Sequence, residues 1–268
     1  MENGLLEGQV QRGIETLGID GSSPRQQLAA IREQLLALED RQQASLETLR
    51  DLLSQEGILL ASIDDLSKDC KNWLARYFES DILPLITPQA IDPSHPFPFV
   101  ANRGIGVIFR LKRGKRQADL IEMVLIPSGA PRFVRVPGDE AIYVGIEQLV
   151  TRFADQLFPG FKVLGDGIFR VLRDSDIEIE EEAEDLVLLF ESALKRRRRG
   201  SVIRLKVDSQ MPERLVRFLT KELQLDDGSI VVIDGIVGLA DTDQLIAGER
   251  HDLRFPPKRV RFPERIRE

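Results

Sequence analysis

Apolar residues recur at helical spacing through the first part of the chain. Leu5, Leu6, Val10, Ile14 and Leu17 form one stripe, and Gly18 stands where a left-handed cap would end it. A second start signal follows. Ser23 can cap a helix, Pro24 suits the first helical position, where its missing N–H costs nothing, and Gln26 completes a Ser-x-x-Gln capping box. Leu28, Ile31, Leu35, Leu38, Leu49 and Leu52 then keep three- and four-residue spacing, interrupted at Gln42 and Ser45, as far as Gly57. The pattern predicts one helix of about 30 residues with a narrow apolar seam, as in a hairpin or bundle. The short first helix cannot cover that seam, so part of its partner surface is expected to be missing from this sequence or supplied by another molecule. A third helix is predicted from Ser62 through Leu66, Cys70, Trp73, Leu74, Tyr77 and Phe78 to Leu83, where Pro84 stops it. Cys70 lies on its apolar side and reads as a small buried hydrophobe, not a reactive thiol.

The texture changes after Pro84. Pro88, Pro93, Pro96 and Pro98 make an extended, stiff connector. Strand-like runs follow at residues 105–111, 120–126 and 132–136, the first two separated by a basic turn at 112–116, and they read as an antiparallel meander. A helix at 145–157 comes next, then a strand at 168–173, a helix at 181–199, a strand at 202–207, a helix at 212–223 and a strand at 229–233. The expected fold class is α+β. A helical hairpin or bundle segment (residues 1–83) precedes a mixed-sheet α/β domain (84–249) with helices on one side, and a charged, proline-containing linker (250–268) follows.

Composition narrows the function. At 42% hydrophobic and 30% charged residues the chain is an ordinary globular one. No apolar run is long enough to span a membrane, and the first ten residues lack the basic start of a secretory leader, so the expected compartment is the cytoplasm. One cysteine and two histidines exclude an intrachain disulfide and any Cys/His metal cluster. The net charge of -7 is local: residues 1–70 carry 13 acids and 6 bases, and the remainder carries 31 of each. Uniform attraction to nucleic acid does not follow from that balance, and no nucleic-acid partner is expected.

The strongest basic feature is Lys195, Arg196, Arg197, Arg198 and Arg199, a candidate anion site because guanidiniums bond phosphate oxygens in pairs. A structural reading stands beside it. Glu181, Glu182, Glu184 and Asp185 open the same predicted helix, which puts acids at its start and bases at its end, as the helix dipole favours. His95 lies between prolines with no evident acid–base partner, and His251 lies in the charged tail. Asp174, Asp176, Glu178 and Glu180 share one face of an extended segment, the usual mark of a solvated face more than of a metal site. Gly235 and Gly238 match neither phosphate-loop pattern and read as turn glycines. No catalytic, cofactor-binding or metal-binding residue is assigned.

Read in order, several segments resemble one family. They are Tyr77-Phe78, Leu83-Pro84-Leu85-Ile86-Thr87-Pro88, Ile91-Asp92-Pro93-Ser94-His95-Pro96-Phe97-Pro98-Phe99, Pro131-Arg132-Phe133-Val134-Arg135-Val136-Pro137, Leu157-Phe158-Pro159-Gly160, Phe169 to Asp176, the basic run, Met211-Pro212 and Asp234 to Asp241. Together they resemble the long, bacterial, histidine-phosphorylating polyphosphate kinases. The resemblance implies that residues 1–83 correspond to the later part of a helical N-terminal domain and residues 84–249 to a head domain, with two phospholipase-D-like catalytic domains beyond residue 268. It implies a parent enzyme that moves the terminal phosphate of ATP to polyphosphate through a phosphohistidine, with magnesium. The family's histidine lies in a His-x-Lys setting, whereas His95 precedes Pro-Phe and His251 precedes Asp-Leu, so neither takes that role. The family's adenine-contacting asparagine motif is likewise absent, and Asp166-Gly167 stands where many relatives have histidine. This part of the enzyme is expected to be inactive alone, to bind no cofactor itself, to form a homodimer, to line a tunnel for nucleotide or polymer and to bind polyphosphate weakly. The alternative is a stand-alone interaction module that binds an acidic polymer through Lys195 to Arg199.

Overall fold

The computed structural model describes residues 6, 8–10, 13–92, 97–114, 118–138, 140–173, 201–246 and 250–255. Helix α1 (Pro24–Gln55) is the longest element. Its start follows the capping logic: Ser23 Oγ accepts from Gln26 N at 3.3 Å, and Gln26 Oε1 accepts from Ser23 N at 2.9 Å. Gly57, at φ 75°, turns the chain after its end. The preceding helical stretch ends sooner than expected, at Gly13 and not Gly18. Gly13 takes φ 67°, and Gly13 N and Ile14 N donate to Val10 O and Gln9 O. The first glycine able to adopt the left-handed cap takes it, which leaves Leu17 outside any helix and exposed.

The third predicted helix is also shorter. Ser62 caps only a single 3-10 turn, Ile63–Asp65, and Leu66 is extended. Ser67 is the effective cap, accepting from Cys70 N at 3.3 Å to start α2 (Lys68–Tyr77). A wider π turn, Phe78–Ile82, and a 3-10 turn, Leu83–Leu85, carry the chain through Pro84. Cys70 is half-buried against the adjoining core.

Two sheets follow. The larger contains β2 (Pro88–Ile91), β3 (Ile105–Lys112), β4 (Leu120–Leu125), β7 (Lys162–Arg173), β8 (Val202–Asp208) and β9 (Ile230–Ile233), in the order β2-β4-β3-β7-β8-β9. All its pairings are antiparallel except β8 with β9. Part of the expected proline connector is thus a strand, and Pro88 opens it at the sheet edge, where a missing N–H is tolerated. The smaller sheet has the order β1-β6-β5, from β1 (Ile58–Leu60), β5 (Phe133–Val136) and β6 (Ala141–Gly145). The expected meander therefore holds for β3 and β4 alone, because β5 leaves to pair with β6. β6 is followed by α3 (Ile146–Arg152) and α4 (Ala154–Leu157), which break at Phe153 where one helix was predicted.

Strand alternation sorts the large sheet into two cores. One face gives Val107, Phe109, Leu111 and Val124 to a cluster with Leu74, Phe78 and Ile82 and with Ile146 and Leu149 of α3. The other gives Ile108, Met123, Phe169, Val171, Leu205 and Val207 to Leu215 and Leu219 of α5 (Glu213–Glu222). Helices cover both faces, not one as expected. Gly106 allows the close approach of Phe169, whose ring carbons would lie 2.8–2.9 Å from an added Cβ. A third cluster joins Ile58, Phe133 and Tyr143 to Leu245 and Leu253, so the first residues of the expected linker are docked.

At the start of the β7–β8 pairing, Asp208 comes close enough to Asp166 for its charge to act on that carboxyl. Asp208 accepts from Ile168 N and Gln210 N. Burial raises both carboxyl pKa values, and the charge of Asp208 raises that of Asp166 further. A raised folded pKa means that the ionised form is penalised in the fold. The penalty is present at neutral pH and is relieved as pH falls toward the ordinary carboxylate range of about 4. Asp166→Asn is accordingly expected to raise the urea midpoint at pH 7, with the advantage vanishing near pH 4 in matched denaturation curves. Leu74→Ala is expected to cost about 2 to 5 kcal/mol in the same assay, because Leu74 is fully buried in the core shared with β3 and α3.

Candidate functional site

The charged flank of the large sheet is a second consequence of alternation. Ile168, Arg170 and Leu172 share a face, and β8 sets Lys206 opposite Arg170. This flank lies under α1 and the loop after β9, and charged and polar side chains make the junction. Glu39 pairs with Lys206 in a largely buried contact, Arg32 reaches Asp226 at 3.0 Å, and Gln43 Nε2 donates to Ile236 O at 3.2 Å.

Arg132 stands just before β5 at 4% exposure, and its donors are fully engaged. Nε and Nη2 donate to Glu147 Oε1 at 3.3 and 2.9 Å, Nη2 also to Val237 O at 2.8 Å, and Nη1 to Gly238 O and to Asp241 Oδ2, the latter at 3.4 Å. Arg170 lies beside it at 7% exposure, its guanidinium against Gly238, where φ 84° and the absence of a Cβ make room. Among the described residues its Nε has no hydrogen-bond partner. Burial lowers the Arg170 pKa, and the nearby charges of Arg132 and Arg103 lower it further, while Asp241 and Glu39 oppose them. Sequence reasoning missed this group. The available signal was an arginine at the inward position of an apolar strand, where alternation predicts a buried side chain.

The predicted anion run, Lys195 to Arg199, lies outside the described residues, as do His95 and the alternating acids Asp174, Asp176, Glu178 and Glu180. His251 opens a short 3-10 turn, His251–Leu253. Gly235 and Gly238 have positive φ, and Gly238 forms one wall around Arg170. Among the described residues no three His, Cys, Asp or Glu side chains converge as a metal site, and no helix is long and apolar enough to cross a membrane. The predicted seam of α1 divides in two. Leu28 is buried and Leu46 joins it, whereas Leu38, Leu49 and Leu52, roughly a quarter turn away at about 100° per residue, are 45%, 53% and 51% exposed.

Three comparisons bear on this arrangement. Residues 69–245 match the model of the polyphosphate kinase middle domain. A polyphosphate kinase of Erythrobacter litoralis is 49% identical over 98% of this chain, which covers 36% of that protein, and one of Aphanizomenon baltica is 34% identical over 97% of this chain and 71% of its own length. The crystal structure of polyphosphate kinase from Porphyromonas gingivalis superposes with a TM-score of 0.67 over 87% of this chain and 34% of that one, at 21% identity, and so shares the fold. The chain spans about a third of the Erythrobacter protein. With its mixed sheet, its family-model match and its relatives in agreement, the chain belongs to the polyphosphate kinase family and contains that family's middle domain.

Proposed function

We propose that this chain is a structural, non-catalytic part of a cytoplasmic polyphosphate kinase. The whole enzyme reversibly transfers the terminal phosphate of ATP to polyphosphate through a phosphohistidine, with magnesium. The observation that carries the reading is the match of residues 69–245 to the middle domain in a chain whose two histidines both lie outside a His-x-Lys setting. The described residues present no carboxylate set for magnesium, so no step is assigned to the metal here. In this reading the chain walls part of the passage for nucleotide or polymer, and its partner is a second copy. Support for self-association comes from Leu38, Leu49 and Leu52, whose burial against a copy would gain about 25 cal/mol per Å² of apolar area.

Incubation with ATP labelled at its terminal phosphate and magnesium is expected to give neither polymer nor protein-bound label. Label on His95 or His251 that is lost on substitution by Ala would overturn the non-catalytic assignment. Sedimentation velocity at high micromolar concentration is expected to show dimer for the natural sequence and monomer for Leu49→Glu combined with Leu52→Glu. Monomer alone for the natural sequence would remove the self-association reading.

A further inference from the structure

We propose that residues 250–255 form a strap which Arg250 locks onto the C-terminal end of α1, fixing the direction in which the following residues leave, and that raised ionic strength opens the lock. The helix end supplies the reason. α1 runs for 32 residues with no base in its last turn, so within the helix nothing balances the negative end of its dipole at Glu56. Arg250, 194 positions further along the chain, brings the missing cation. Its Nη1 donates to Glu56 O at 2.9 Å and its Nη2 to Glu56 Oε2 at 2.7 Å. One guanidinium thus takes both the carbonyl of the capping residue and that residue's side-chain charge, a forked contact that the point charge of a lysine does not reproduce.

The same arginine shapes the strap. Its Nε donates to Asp252 Oδ1 at 3.0 Å and its Nη2 to Asp252 Oδ2 at 2.8 Å, while Leu253 N donates to Arg250 O at 3.2 Å and closes the turn. The turn delivers Leu253 to the cluster of Ile58, Tyr143 and Leu245, against which Leu53 from the last turn of α1 also packs. Arg254 Nε adds a bond to Ile246 O at 3.0 Å. Apolar contact at Leu253 holds the strap down, and the forked contact at Glu56 sets its register, because a charged pair is satisfied in one place where apolar surfaces can slide. The side chains of Arg250, Glu56 and Asp252 are 34%, 53% and 62% exposed, so dissolved salt reaches them. Phe255, where the strap ends, is fully exposed, and the chain enters solvent from that fixed point. One consequence rests on the reading proposed above: if catalytic domains follow, α1 sets their bearing through this lock. The lock itself does not depend on that reading.

The test measures the strap against the helix in the full chain. Spin labels at Ala44→Cys on α1 and Phe255→Cys, in a Cys70→Ser background, report their separation by pulsed dipolar spectroscopy, and hydrogen exchange at Leu253 N reports the turn. The natural sequence at low salt is expected to give one narrow distance and a protected amide. Arg250→Gln should broaden the distance and speed exchange at Leu253 several-fold with little change in the global unfolding midpoint, and Arg250→Lys should restore part of the order but not all. Raising sodium chloride from about 0.1 M to about 1 M, where the Debye length falls from about 10 to about 3 Å, should broaden the natural distribution and leave that of Arg250→Gln unchanged. Glu56→Gln keeps the carbonyl and loses the charge, and it decides the matter if Arg250→Gln does not fold. A broad distance in the natural sequence, or the same narrow one in Arg250→Gln and Glu56→Gln, overturns the lock. A natural distribution that salt does not alter overturns its release. None of these results depends on the labelling and sedimentation outcomes that test the family reading.

Discussion

One guanidinium fastens three parts of this molecule. Arg132 precedes a strand of the small sheet, Glu147 belongs to α3 beneath it, and Val237, Gly238 and Asp241 belong to the loop that follows the last strand of the large sheet. A buried ion pair of this kind contributes little net stability compared with apolar packing, but loss of one partner leaves the other charge stranded at a cost of about 3 to 5 kcal/mol. The pair therefore acts as a positional constraint. It fixes the loop against both sheets, and the loop in turn presents Gly235 and Ile236 O to Gln43 of α1 and Gly238 to Arg170.

The helix α1 shows how a polar anchor differs from an apolar seam. Its inward face combines buried Leu28 and Leu46 with Arg32, Glu39 and Gln43, each of which meets a partner from the far end of the chain. Apolar surfaces pack in many registers, whereas a charged contact is satisfied in one. The second leucine row, Leu38, Leu49 and Leu52, has no such polar punctuation and stays open to solvent.

Much of this was legible in the sequence, and the failures have separate physical causes. The capping box at Ser23, Pro24 and Gln26 is a local device and could be read directly. The strands at Ile105–Lys112 and Val202–Asp208 carry enough β-branched residues to declare themselves. β1 and β6 did not: each is short, and their parallel pairing joins segments far apart in sequence, which no local pattern encodes. Ser62 is the cap expected from the local pattern, yet the helix starts at Ser67, and Leu74 within it is buried in the core. Around the candidate site, five consecutive bases dominate the sequence, while Arg132 and Arg170 are single residues within apolar runs. Their importance comes from burial, and burial is a tertiary property.

The long-range anchors of α1 have a consequence for how the chain is made. Arg32 and Asp226 are 194 positions apart, Gln43 and Ile236 193, and Glu39 and Lys206 167. During vectorial synthesis α1 leaves the ribosome long before any of these partners exists, and its own hydrogen bonds can form within microseconds while translation proceeds at about 5 to 20 residues per second. For several seconds at least, the nascent helix carries both leucine rows without a surface to cover either, which makes this interval the point in the protein's life at which chaperone capture or misassociation is favoured.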